Sequence, residues 1–93
     1  MSNQIQLRKT ILAFVAERYP AAYTAEAIAQ RVNRSGLLDE AAGVPAVLAE
    51  LRLLATKFGW VDLMVDPDGV QHWGATQAGV RQWTLDGSLY VGG

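Results

Sequence analysis

The sequence predicts a mostly helical α+β domain: three helices, a two-stranded hairpin and a short C-terminal helix. Three observations carry this reading. Val44, Val47, Leu48, Leu51, Leu54 and Phe58 recur at helical spacing, giving residues 44–58 one apolar face. Gly59 follows the last of them, where a helix C-terminal cap belongs. Beyond it, residues 60–65 and 70–75 read as strands joined by the turn sequence Asp66-Pro67-Asp68-Gly69.

The first helix covers residues 3–18. Leu7, Ile11, Phe14 and Val15 fall on one side of it, and Ile5 and Leu12 widen that side. Pro20 ends it, because proline disfavours helix at Tyr19 and lacks a donor. Thr24 is an N-cap with Glu26 in the first turn, where the helix dipole favours an acid. The second helix, 25–32, turns Ala25, Ile28, Ala29 and Val32 inward. The connection 33–43 is longer than the three or four residues of a simple helix-turn-helix. Its second part is expected to form one helical turn, with Leu37 or Leu38 tucked into the core.

The third helix opens with Pro45, which suits a first turn. Once the apolar stripe is removed, its outward positions are Pro45, Ala46, Ala49, Glu50, Arg52, Leu53, Thr56 and Lys57. In the hairpin, Val61, Leu63 and Val65 alternate with Asp62, Met64 and Asp66, the pattern of a strand with one buried face. Thr76 caps a last helix over 77–83. Residues 1–85 form the domain; 86–93, which contain the turn signal Asp86-Gly87, are expected to be a loosely held tail.

Composition narrows the function classes. At 93 residues the chain is one domain, with 51% apolar residues for a single core. Charged residues are 18%, below the roughly 25% usual for soluble domains, which leaves a partly apolar surface suited to a protein contact. Net charge −1 and a pI of about 5.7 give little long-range attraction for nucleic acid. There is no cysteine and only one histidine, His72, so neither a disulfide frame nor a zinc site is expected. No catalytic set and no glycine-rich phosphate loop is present, and the chain reads as a non-enzyme without cofactor. No apolar run suggests a membrane span or leader, which points to a cytoplasmic protein.

Three stretches in order carry a family resemblance. Thr-Ala-Glu-Ala-Ile-Ala-Gln-Arg-Val (24–32) resembles the second helix of many winged-helix regulators, Ala29 standing where a small residue lets the next helix cross closely. Gly59-Trp60-Val61 leads into the hairpin, and Ala75-Thr76-Gln77-Ala78-Gly79-Val80-Arg81 resembles the exit from the wing in several bacterial families. Together they resemble the winged helix-turn-helix of small bacterial transcriptional regulators. The chain departs from that pattern in the long 33–43 connection, the non-basic third helix and the acidic wing tip.

The resemblance implies a double-stranded DNA-binding regulator, dimeric, reading with its third helix. Arg31, Arg34, Arg52 and Lys57, with Arg8 and Lys9, would then meet phosphates, and Ala46, Ala49 and Thr56 would line the same face. The residues themselves suggest an alternative, a protein-interaction module using Ala46, Ala49 and Leu53 with Asp66 and Asp68 of the wing. The two readings differ on one geometric point. DNA binding needs Arg31, Arg34, Arg52 and Lys57 on a common face.

Overall fold

The computed structural model describes the backbone of residues 2–92 and the side chains of residues 4–85. The elements run α1 (Ser2–Glu17), β1 (Ala22–Tyr23), α2 (Ala25–Arg34), α3 (Val44–Leu53) with a π-helical turn (Leu54–Phe58), β2 (Val61–Val65), β3 (Gln71–Ala75) and α4 (Gln77–Gly92). The result is an α+β fold of four helices and a three-stranded antiparallel sheet. The strand order is β1-β3-β2, so β3 is central and β2 forms an edge.

The third strand is one the sequence did not announce. Ala22 and Tyr23 pair with Gly74 and Trp73, a bridge two residues long between α1 and α2. The hairpin pairs as expected, Val61 with Ala75 through Val65 with Gln71.

One hydrophobic core lies between the helices and the sheet. Ile11 and Val15 of α1, Ile28 and Val32 of α2, and Val47, Leu51 and Leu54 of the third helical segment are fully buried. Val61, Trp73 and Ala75 close it from the sheet side. Thr24 caps α2, its hydroxyl accepting from the Ala27 N–H at 3.1 Å.

Three expectations about the helices need correction. The 33–43 connection forms no helical turn. Instead the Asn33 side chain holds it in a fork, donating to the Ala42 carbonyl (2.9 Å) and accepting from the Ala42 N–H (2.8 Å). A side-chain amide supplies there the partners that a helical turn would have supplied. Leu38 packs on the core, while Leu37 stands in solvent.

The third helix does not stay α-helical to Phe58. At Leu54 it widens into a π turn that ends at Gly59, whose left-handed φ of 67° only glycine adopts without strain. The widened turn sets Phe58 flat on Trp60, their ring centroids 4.4 Å apart.

The last helix continues past Trp83 to Gly92 rather than stopping short. A helical glycine costs about 1 kcal/mol, too little by itself to end a helix at Asp86-Gly87. The expectation of a loose tail over 86–93 lies outside the residues whose side chains are described. The start of α4 is tightly built. Thr76 Oγ1 accepts from the Gly79 N–H (3.0 Å) and donates to the Gly59 carbonyl (2.7 Å). Gly79 lies so close to the backbone of Trp60 that a Cβ there would meet the Trp60 carbonyl oxygen. This explains the Thr-Gln-Ala-Gly sequence in terms of contacts: a capping hydroxyl, then a residue with no side chain at the crossing.

Candidate interaction surface

The outward face of the third helix is narrower than its sequence suggests. Glu50, expected in solvent, is buried and accepts a hydrogen bond from Arg8 Nε of α1 at 2.8 Å. The two charges meet because helix geometry turns Glu50 toward α1, where a carboxylate is tolerated only when paired. Arg8 is partly exposed, with its Nε held by Glu50. Thr56 is exposed, but its hydroxyl donates to the Arg52 carbonyl at 2.7 Å within its own helix.

The remaining candidates on this helix scatter. Ala46 lines a shallow groove against the start of α1 and residues 38–42. Ala49 is exposed and Leu53 half-buried. Arg52 borders a different cleft, between the helix and Val61, Asp62, Leu63, Gln71 and Trp73 of the sheet. Lys57 is exposed, with its ammonium 5.5 Å from the centre of the Phe58 ring.

The basic residues border two different grooves. Arg31 and Arg34, in the last turn of α2, line a groove of about 490 Å³ with Phe14, Arg18, Leu37 and Trp83. Arg52 stands at the cleft beside the hairpin. Within the first groove, Arg18 lies over the Phe14 ring at 4.1 Å and donates to the Phe14 carbonyl.

The feature the sequence reading missed is the far half of the hairpin. Strand alternation suggested that Val61, Leu63 and Val65 share a buried face, yet only Val61 is buried. Leu63, Met64, Val65 and Val70 are 38%, 41%, 59% and 43% exposed. Leu63 and Val65 lie on the face that Trp73 buries, Leu63 bordering the cleft with Arg52 and Thr56; Met64 lies on the other face, opposite His72. The signal was present in the composition of 61–65, where Asp62 is the only charge, but alternation cannot say where the supporting helix ends.

The turn closes on itself. Asp66 Oδ1 accepts from the Asp68 and Val70 N–H groups, both at 2.9 Å. Asp66 is thus a shaping residue of the turn rather than a free contact, while Asp68 is exposed at the tip.

The ladder also fixes which backbone groups point outward. The Asp66 N–H donates to the Val70 carbonyl at 3.0 Å, so these two residues form a hydrogen-bonded pair. Alternation along the ladder makes Met64–His72 and Asp62–Gly74 hydrogen-bonded pairs as well. The N–H and C=O groups of Val61, Leu63 and Val65 therefore point away from β3, those of Leu63 and Val65 at the exposed edge of the sheet and those of Val61 covered with the buried residue.

Among the described residues no group of His, Cys, Asp and Glu side chains is arranged to hold a metal ion. No described helix is long and apolar enough to cross a membrane. No known family model, curated protein or solved structure matches the chain.

Proposed function

We propose that the chain is a winged helix-turn-helix domain whose working surface is the projecting hairpin, and that it binds protein rather than DNA. The order helix, short strand, helix, helix, hairpin, with the third strand central in the sheet, supports the winged-helix arrangement. The observation that carries the interaction reading is the exposure of Leu63, Met64, Val65 and Val70 on a ribbon with an unpaired edge. Clustered apolar exposure on a projecting element marks a contact surface, and a free edge offers main-chain bonds to whatever docks there. The acidic tip, and the Asp62 carboxylate near the base of the same hairpin, oppose phosphate.

Titration with random-sequence duplex at low and high salt tests this. Phosphate attraction is strongest at low salt, so the domain should show no binding even there. In parallel, the native domain should bind an anilinonaphthalene sulfonate dye, and Leu63→Lys with Val65→Lys should abolish that signal without changing the far-UV circular dichroism. Duplex binding that falls steeply with salt and is lost in Arg52→Ala would overturn the reading. It would favour the second one, a DNA contact through Arg52 and Lys57, which rests on their exposure at the end of the third helical segment beside the hairpin.

A further inference from the structure

We propose that the groove between α1, the end of α2 and α4 binds a small phosphate monoester with an apolar body. Arg18, Arg31, Arg34, Phe14, Leu37 and Trp83 line it, and its volume of about 490 Å³ is in the range of small-molecule sites. None of these residues belongs to the hairpin, so the site goes beyond the interaction reading and the two can fail separately.

The charges around the groove are unbalanced. Three arginines line it with a single carboxylate residue, Glu17, in a chain whose net charge is −1. Glu17 lies 3.8 Å from Arg18, and Arg18 is itself held over the Phe14 ring. Arg31 and Arg34 make no ion pair among the described residues. The C-terminus of α2 favours either cation singly, but the two stand three residues apart on one helix, where like charges repel. A dianion between them removes that repulsion, and guanidinium forks match the several oxygens of one phosphate.

The apolar part of the site is also in place. Leu37 is 59% exposed, and Trp83 is half-buried. The backbone at Leu37 is fixed against the end of α2: Gly36 takes a left-handed φ of 77°, and the Leu37 N–H donates to Ser35 Oγ at 3.1 Å. A ligand with its phosphate on Arg31 and Arg34 and its body against Leu37 and Trp83 uses both features. Inorganic phosphate uses only the first.

Phenyl phosphate is the probe. Calorimetric titration of the full chain at neutral pH and low salt should show saturable binding with a Kd on the order of 0.1–1 mM. Inorganic phosphate should bind at least about tenfold more weakly, and benzyl alcohol, which lacks the charge, should not bind. The Trp83 indole resonance should shift with phenyl phosphate in a heteronuclear NMR titration. Arg31→Gln with Arg34→Gln should weaken binding at least about tenfold. Arg52→Gln with Lys57→Gln removes the same charge away from the groove and should change it by less than about twofold. All four side chains are exposed, so circular dichroism should be unchanged in both variants. Leu37→Ser should weaken phenyl phosphate binding by about threefold or more and leave inorganic phosphate unaffected. No binding up to about 10 mM, equal losses in the two double variants, or inorganic phosphate binding as tightly as phenyl phosphate would overturn the proposal.

Discussion

Replacing Arg8 with methionine should destabilise the domain by about 2–3 kcal/mol, although Arg8 lies at a helix surface and was a plausible phosphate contact. The reason is the group left behind. The Glu50 side chain is 10% exposed and that of Arg8 is 30% exposed, and the Arg8 Nε–H reaches Glu50 Oε1 at 2.8 Å. Without the donor, the carboxylate stays largely desolvated and unpaired, which places the loss near the upper end of the range for a charge-assisted hydrogen bond. The reverse substitution, Glu50→Leu, should cost about 1 kcal/mol or less, because Arg8 can turn its guanidinium into water while the leucine adds apolar burial. The double variant should resemble Glu50→Leu alone, giving a coupling of about 2–3 kcal/mol. Urea denaturation followed by circular dichroism measures this. With a slope of roughly 1–2 kcal/mol/M, Arg8→Met should lower the midpoint by about 1–3 M. The thermal midpoint should fall by roughly 10–20 °C. An Arg8→Met cost under about 0.5 kcal/mol, or additive single effects, would refute the assignment of Glu50 as a buried, Arg8-dependent carboxylate.

Three further substitutions test the architecture. Gly79→Ala should cost about 1–3 kcal/mol in a urea melt, since the new methyl meets the Trp60 carbonyl oxygen and α4 must shift away from the β2 entrance. Thr24→Ala should cost about 1 kcal/mol by thermal denaturation, because the Ala27 N–H loses its capping acceptor. Asp66→Ala removes an acceptor shared by the Asp68 and Val70 N–H groups. Amide hydrogen exchange should therefore rise at positions 68–70, with a global loss of about 1 kcal/mol.

Local chemistry made much of this molecule legible. Thr24 and Thr76 are caps because a hydroxyl at the start of a helix has a donor to satisfy. The Gly59 and Asp66-Pro67-Asp68-Gly69 signals sit where a helix stops and a ribbon reverses, but which face of Gln71–Ala75 turns inward was not legible, and the ladder sets it by pairing Leu63 with the buried Trp73. What stayed hidden needs knowledge of neighbours. The Ala22–Tyr23 strand is too short to show a period; it forms because β3 passes beside it. Glu50 reads as outward until α1 supplies Arg8. Residues 35–43 have helical propensity in isolation, but the Asn33 side chain holds the loop otherwise.

The candidate site was the least legible part for the same reason, and the reason bears on its function. Period-two alternation says that Leu63 and Val65 share a face with Val61, but not how far the helices extend beneath that face. Because Leu63, Met64, Val65 and Val70 stay 38–59% exposed, residues that look like a core pattern are offered at the surface. The arginines show the converse. Arg31, Arg34 and Arg52 read as one basic set in the sequence, yet α2 carries the first two to the groove with α1 and α4, and the third helical segment carries Arg52 to the hairpin cleft. A duplex contact draws on charge concentrated along one face, so the two grooves bear on the DNA reading, and the salt titration with random duplex is the measurement that weighs them.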